Sequence, residues 1–516
     1  MWKNFAQPIK NFLAGDPVTP PTVAPDSIQT AIPTSPPATT TAPTIYTSID
    51  QKKTKIVATI GPATDSEEQI RLLIQSGMNV ARFNTKHNEP KWHIDVIARV
   101  RKIAKEMQVP VAILLDIQGP EVRIHLLDRQ SFDVKKGESV TFISDKAPQN
   151  SSAVVIPQEV VTALNVGNTI ILDDGTCELV ITKKDEHGFD AQAVDACTIK
   201  TQKTMNTPHV TLDMPALLPT DLVYLDAMRG MKLEFVALSF VRTQGDISNL
   251  KNELQKRDIH ADVIAKIENQ KSLDNLDSII SISDAIMVAR GDLGVEVPFE
   301  EMTFWQKKII HACQQVGKPV ITATQMLTSM TEHPTPTRAE VSDVANAVYD
   351  GTDAVMLSEE TTTGKYPVKS VQVQAKIVAF YEKKTAIFPA PTEPANPTTT
   401  LAEETKKLVE EKQNAVQKIV VVCDDCALVH QLARYRLPTP VVVVTSNLFL
   451  ASQFCLSYGV VPFCVENAQF ENLSVNECMN LLKEKQKLSL GEKIIFIYTF
   501  SQQKENASQP LIREVV

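Results

Sequence analysis

The chain has no apolar run approaching the ~20 residues that a membrane span requires, so no transmembrane segment is expected. It has no surplus of positive charge either. Its 52 Lys and Arg stand against 61 Asp and Glu, a net charge of −9 with the signs interspersed, which excludes a broad nucleic-acid footprint. A second cysteine pair at zinc-site spacing is also missing. Eight cysteines are scattered, five of them beyond residue 420, and Cys423 and Cys426 form one CxxC in "CDDC". Ordinary reduced thiols in a reducing, cytoplasmic compartment are the expectation, with a redox or metal role for the CxxC as the other reading. What the chain does have is 516 residues at 43% hydrophobic content, enough for a large core and more than one domain.

The chain punctuates itself. Residues 17–46 are Pro/Thr-rich, cannot build a core and read as an extended linker. Before them, Trp2, Phe5, Ile9 and Phe12 fall at helical spacing, although Pro8 weakens a helix there. With no long apolar segment and no small-residue cleavage site, this start is a poor signal peptide. Residues 1–50 are thus expected to be a tail dispensable for catalysis, either solvated throughout or carrying in residues 1–13 a short docking helix for a partner or membrane surface. A second linker, residues 389–400, separates residues 401–516, whose "KIVVVCDD", "PVVVVTSN" and "KIIFIYTF" read as an open-sheet α/β domain.

Between the linkers one pattern recurs: a short β-branched apolar run that ends in polar residues or glycine. The runs are "KIVATIGP", "NVARFN", "VAILLDIQGPE", "FVALSFVR", "VIAKIEN", "AIMVARGD", "PVITATQM" and "AVMLSEE", most of them separated by segments of helical period. Continuous apolar strands alternating with helices mean a parallel sheet covered on both faces, and eight units predict a closed β/α (TIM) barrel. Residues just past the strand ends then line one face, where Arg82, Asp116, Arg123, Lys266, Glu268, Asp292 and Thr324 fall. The spacing between the third and fourth runs far exceeds one crossover helix. Its alternating pattern predicts a small β-barrel lid over residues 120–214, splitting the barrel domain into 51–119 and 215–388.

In "VIAKIEN", alternation puts Lys266 and Glu268 on the same face of a strand, which in a barrel can be the inner one. Alone they fit a structural ion pair equally well. Asp292 on the next strand makes a second carboxylate, and two carboxylates form a hard-oxygen site suited to Mg²⁺. Arg82, Arg123 and Lys266 outnumber those two acids, and a metal with several cations fits a substrate carrying phosphate and carboxylate. Gly291 lets backbone approach a ligand, and amides at Gly291 and Asp292 opening a short helix would receive an anion. Thr324 offers a hydroxyl to the same cavity, or is a capping threonine.

In order along residues 54–500, "TKIVATIGPAT", "GMNVARFN", "LLDIQGPEVR", "IILDDG", "LSFVR", "IAKIEN", "IMVARGDLGVEVP", "ITATQML" and "PTRAEVSDVANAVYDGTDAVMLS" resemble the successive signatures of the pyruvate kinase family. The resemblance implies a cytoplasmic glycolytic enzyme, usually a homotetramer, that transfers the phosphoryl group of phosphoenolpyruvate to ADP to give pyruvate and ATP. It implies Mg²⁺ or Mn²⁺ on Glu268 and Asp292, with Lys266 steadying the phosphoryl group and the developing enolate. The Gly291 and Asp292 amides with Thr324 would receive the substrate carboxylate, and Thr324 would lie near the site of enolate protonation. Arg82 would contact the phosphoryl group, while Asn84, His87, Arg123 and Lys203 would lie on the nucleotide side. A monovalent cation, potassium in many members, would sit at Asn84, position 86, Asp116 and the Ile117 carbonyl.

Several positions depart from the family pattern. Ile117 and Gln118 stand where Thr-Lys is usual, Glu359 stands where glycine is usual, and Asp424 and Asp425 occupy a loop that in many relatives is Ser/Thr/Gly-rich and takes a sugar phosphate. Position 86 is usually serine, a neutral oxygen ligand, and here it is lysine. The expectation is that the Lys86 ammonium replaces the ion, with its donors on Asp116 and the Asn84 oxygen, in a potassium-independent enzyme; the other reading turns Lys86 outward to solvent and leaves the ion site merely damaged. Members known for that independence usually change the position of Glu121 instead, which is still an acid here. Two other classes stay open, a catalytically weakened scaffold and a different metal-dependent barrel enzyme acting on a keto acid or enolpyruvyl compound.

Overall fold

The computed structural model describes residues 52–148, 152–384, 397–412, 415–466, 470, 473–499 and 510–515. The tail of residues 1–50, with the expected docking helix, lies outside the described residues, as does most of the second linker. A helix, Pro397–Glu411, already begins inside the stretch expected to be linker.

Eight parallel strands close into a barrel in chain order: Lys55–Thr59, Val80–Asn84, Ala112–Ile117, Phe235–Leu238, Asp262–Ile267, Ala285–Ala289, Val320–Ala323 and Ala354–Leu357. Strand alternation sorts their side chains into two layers. Ile56, Ala81, Ile113, Val236, Val263 and Val320 pack outward against the helices. Val57, Val80, Leu114, Ala237, Ile264 and Ile321 point inward and fill the lower barrel, which Cys455 and Leu456 of the C-terminal domain close from below. Two positions further along, the same inner face carries Thr59, Arg82, Asp116, Ser239 and Lys266, all of them buried. The polar inner layer therefore follows from period two once the barrel closes.

The insert between the third and fourth strands is β-rich, as expected. Its backbone hydrogen bonds also join its first and last strands, the Ile124 N–H donating to the Lys203 carbonyl at 3.0 Å and the Met205 N–H to the Val122 carbonyl at 2.9 Å. The strands form a seven-stranded sheet and a two-stranded ribbon, Ser131–Val134 with Cys197–Lys200. One core serves both, with Phe142 stacked on Phe189 at 5.1 Å between centroids. The expectation of reduced thiols fails at two positions, because Cys177 and Cys197 are joined in a disulfide with Cα atoms 5.3 Å apart, within the span of such a bond. They lie on strands of different sheets, so the sequence carries no sign of the pairing. Cys313, Cys423, Cys426, Cys455, Cys464 and Cys478 are free.

The C-terminal domain is an open five-stranded sheet ordered Val460–Cys464, Val441–Thr445, Lys418–Cys423, Lys493–Thr499 and Leu511–Glu514, the last strand antiparallel. It meets the barrel through a buried ion pair, Arg436 to Asp353 at 2.6 Å, and through Lys55 Nζ donating to the Val460 carbonyl at 2.6 Å.

Asp262 lies at the same junction. Burial, with Asp284 adding to it and Lys251 opposing, pushes its carboxyl up to about 7. The folded protein therefore holds this proton more tightly than the unfolded chain does. The contribution to stability is complete below the unfolded carboxylate pKa and is lost as pH rises through the folded value. Wild type is expected to lose on the order of 1 kcal/mol from this group between about pH 5 and about pH 8, and Asp262→Asn to lose correspondingly less. Urea unfolding of both proteins across that range checks this, and parallel curves would contradict it.

Candidate active site

The inner-layer side chains converge at the C-terminal ends of the strands. Lys266, on the fifth strand, lies 2.8 Å from Glu268 Oε1 and 3.5 Å from Asp116 Oδ1, and donates to Ser239 Oγ at 2.8 Å. Arg82, on the second strand, grips Asp116 Oδ2 at 2.7 and 2.8 Å and donates to Thr59 Oγ1 at 2.8 Å. Burial alone would raise the Asp116 carboxyl, but Lys266 and Arg82 outweigh it and hold the group below its ordinary value. Lys266 is conversely raised despite burial, because Asp116, Glu268 and Asp292 surround it, so it stays cationic.

Glu268 is fully buried. Its Oε2 accepts the Phe240 N–H at 2.6 Å, while Oε1 faces Lys266 and receives no well-directed hydrogen bond. Burial, with Asp292 adding to it, pushes this carboxyl up against the pull of Lys266. A buried carboxylate oxygen with spare acceptor capacity, beside a second carboxylate, is a donor set that fits a hard divalent cation. Asp292 belongs to the short helix Arg290–Glu296 that follows the sixth strand. The Gly291 N–H does not point free into the cavity. It donates to Thr324 Oγ1 at 2.7 Å, and that hydroxyl donates to the Ala323 carbonyl at 2.6 Å. Thr324 takes a positive φ of 66°, a strained conformation for a β-branched residue, held by the Arg290 guanidinium on its carbonyl at 2.6 Å.

A cluster of cations around a paired-carboxylate site at the mouth of an eight-stranded barrel narrows the choice, and the comparisons with known proteins decide it. The family model of the pyruvate kinase barrel domain matches residues 51–371, and that of the pyruvate kinase alpha/beta domain matches residues 400–508. The chain belongs to the pyruvate kinase family. It is 36% identical over 462 residues to a pyruvate kinase of Staphylococcus saprophyticus, covering 86% of this chain and 77% of that one. To a pyruvate kinase of Geobacillus stearothermophilus it is 38% identical over 419 residues, covering 80% and 71%. A crystal structure of a pyruvate kinase from Cryptosporidium parvum matches with a TM-score of 0.83 at 28% identity, covering 91% of this chain and 97% of that one. The protein is accordingly a phosphotransferase of the pyruvate kinase class.

At the position where pyruvate kinases usually carry serine, Lys86 extends into the site and not into solvent, with 17% of its side chain exposed. It does not take the partners expected for it. Asn84 Oδ1 already accepts the Lys86 backbone N–H at 3.1 Å, the Asp116 carboxylate is engaged by Arg82 and Lys266, and the Ile117 carbonyl accepts Ser239 Oγ at 2.9 Å. The ammonium therefore pairs with the remaining acid, Glu121 Oε1, at 2.9 Å, with the Phe240 ring centroid 5.7 Å away. From there it still helps to lower the Asp116 carboxyl.

Glu121 Oε2 also accepts from Arg123 at 3.0 and 3.1 Å, and Arg123 donates to the Gln202 carbonyl at 2.7 Å. Lys203 rests on Asp173 at 2.7 Å in the lid. His87 stands at the rim, lowered from its ordinary value by desolvation first and then by Arg123, Lys86 and Arg82. Of the departures from the family pattern, Gln118 lies at the root of the lid, and Glu359 opens the short helix Glu359–Thr362. The acid after it, Glu360, is buried and accepts the Leu327 and Ser358 N–H groups at 3.0 and 2.7 Å.

The sequence reading missed Ser239, Phe240 and Asp173, the partners of Lys266, Glu268 and Lys203. Ser239 was within reach of it, since it has the same strand parity as Lys266, one residue past the fourth strand. Phe240 acts through its backbone at a positive φ of 53°, which no residue type announces.

Proposed function

We propose that this site transfers the phosphoryl group of phosphoenolpyruvate to ADP, giving pyruvate and ATP. The observation that carries the reading is Lys266, held cationic between Asp116 and Glu268 on the barrel's inner face, with Arg82 beside it. Phosphoryl transfer needs mainly positioning and charge neutralisation, and this cluster supplies fixed positive charge in a setting closed to water. Lys266 would sit against the transferring group and the developing enolate, and Arg82 would hold the phosphoryl oxygens. Glu268 and Asp292 would hold Mg²⁺ or Mn²⁺, which when bound neutralises phosphate oxygens. The substrate carboxylate would take the Gly291 and Asp292 amides and Thr324 Oγ1, displacing the bond those groups now share. Arg123, Lys203, His87 and Asn84 would face ADP.

Lys86 takes the part of the monovalent cation through Glu121, supplying its charge covalently, which makes this a potassium-independent enzyme. A cytoplasmic homotetramer is the form we assign to it. A coupled assay for ADP-dependent pyruvate formation from phosphoenolpyruvate tests the central reading; absence of pyruvate in the presence of Mg²⁺ would defeat it.

One regulatory expectation follows from the C-terminal loop. Asp425 accepts the Ala427 N–H at 3.1 Å, and Asp424 is exposed beside it, so negative charge occupies the place a sugar phosphate would take. Fructose 1,6-bisphosphate is expected not to activate through residues 423–428. Saturable activation that Asp424→Ala or Asp425→Ala abolishes would contradict this.

A further inference from the structure

The chain leaves the barrel for the lid through Gln118 and Gly119 and returns through Leu218 into the helix Pro219–Ala227. Both crossings end on one carboxylate. The Gln118 and Gly119 N–H groups donate to Asp221 Oδ1 at 3.1 and 3.3 Å, and the Leu218 N–H donates to Oδ2 at 2.8 Å. Asp221 is 1% exposed, so little water can replace a lost bond. The outgoing crossing is also tight against the barrel: Gly119 takes a φ of +64°, and a Cβ there would lie 2.7 Å from the Ser239 carbonyl.

That approach sets the root of the lid against the machinery of the site. Ser239 Oγ donates to the Ile117 carbonyl at 2.9 Å and accepts from Lys266 at 2.8 Å. The Glu121 N–H donates to the Gly119 carbonyl at 2.8 Å, and the Glu121 side chain holds both Lys86 and Arg123. The helix carrying Asp221 reaches the other wall as well, where Tyr224 Oη donates to the Asn88 carbonyl at 2.5 Å, just past Lys86 and His87.

We propose that Asp221 is a positioning residue that ties the two crossings of the lid together and relays their position to Lys266, Lys86 and Arg123. The proposal rests on the reading of the lid as the cover over the nucleotide. Asp221 also supplies the acid half of a capping box for its own helix, a half that Leu218, with no side-chain acceptor, does not reciprocate. The Leu218 bond belongs to that box, but the Gln118 and Gly119 bonds come from the other crossing and need another reason.

The test compares Asp221→Ala and Asp221→Asn with Glu477→Ala, which removes a capping-box acid in the C-terminal domain. Labels carried by unnatural residues at the exposed positions 136, in the lid, and 256, on the barrel, report the lid-to-barrel distance distribution without substrate. Asp221→Ala is expected to broaden that distribution and to change KM for ADP and kcat together, KM by about fivefold or more, as loss of a hinge contact does. Asp221→Asn keeps one oxygen acceptor and should fall between it and wild type, and it still decides the matter if the alanine variant does not fold. Glu477→Ala should lose stability only. An unchanged distance distribution in a folded Asp221 variant overturns the proposal. So does a broadened distribution with unchanged ADP kinetics, since the relay would then be absent. If wild type forms no pyruvate, the functional reading fails by itself, and the distances still report on the tie.

Discussion

Lys266→Met is expected to lower turnover by at least about a hundredfold, the loss typical when a preorganised group facing transition-state charge is removed. Among the described residues the lysine is the one cation in direct contact with both Asp116 and Glu268, and three acids keep it charged. Methionine preserves much of its length and the packing of its stem, so the barrel should survive. It should not survive unchanged, because two buried carboxylates lose a partner, and breaking a buried pair commonly costs about 3–5 kcal/mol. A divalent cation on Glu268 would offset part of that. The variant should therefore depend more on Mg²⁺ or Mn²⁺ for stability than wild type does. Thermal melts with and without metal, together with kcat, check both halves. Turnover within about tenfold of wild type would show that Lys266 does not face the transferring group.

The second large effect belongs to Lys86. Wild type is expected to work at full rate in a buffer whose only monovalent cation is large and organic, whereas Lys86→Ser should lose activity there by about tenfold or more and recover it with potassium. The reason is charge balance. Arg82, Lys86, Arg123 and Lys266 face Asp116, Glu121, Glu268 and Asp292, one cation for each acid. Removing the ammonium leaves Glu121 shared with Arg123 alone and takes a positive charge from beside Asp116. Serine restores a neutral oxygen next to Asn84, so a small monovalent cation has both the ligands and the field to bind. The measurement is rate against potassium chloride for both proteins, with sodium absent. Strong stimulation of wild type by potassium would refute the built-in cation, and so would a Lys86→Ser variant that is indifferent to potassium.

Much of this architecture was legible in the chain. Eight β-branched runs alternating with helical segments can bury both faces of a parallel sheet in few ways, and the closed barrel is one of them. The parity of Lys266 and Glu268 predicted a shared face, and the barrel makes it the inner one. Boundaries were less legible: the helix from Pro397 starts where proline and threonine suggested linker, because proline suits a first helical turn as well as a linker. The lid was legible as β but its strand order was not, since alternation reports which face of a strand is buried and says nothing of which strands pair.

By itself the sequence determined the residue types of the site and their order: the carboxylates, the cations and the strand ends that carry them. Those follow from local period and from chemistry that only a few side chains can supply. The tertiary structure alone decided which acid each cation meets. Lys86 could reach several oxygens, and it pairs with Glu121 because Arg82 and Lys266 already engage Asp116 and its own backbone N–H occupies Asn84 Oδ1. Cys177 and Cys197 join only because strands of two different sheets bring them side by side. Asp221 gathers N–H groups from positions 118, 119 and 218, a convergence that exists only once both crossings of the lid are in place. Competition for a limited set of acceptors is settled in three dimensions, and no spacing along the chain encodes its outcome.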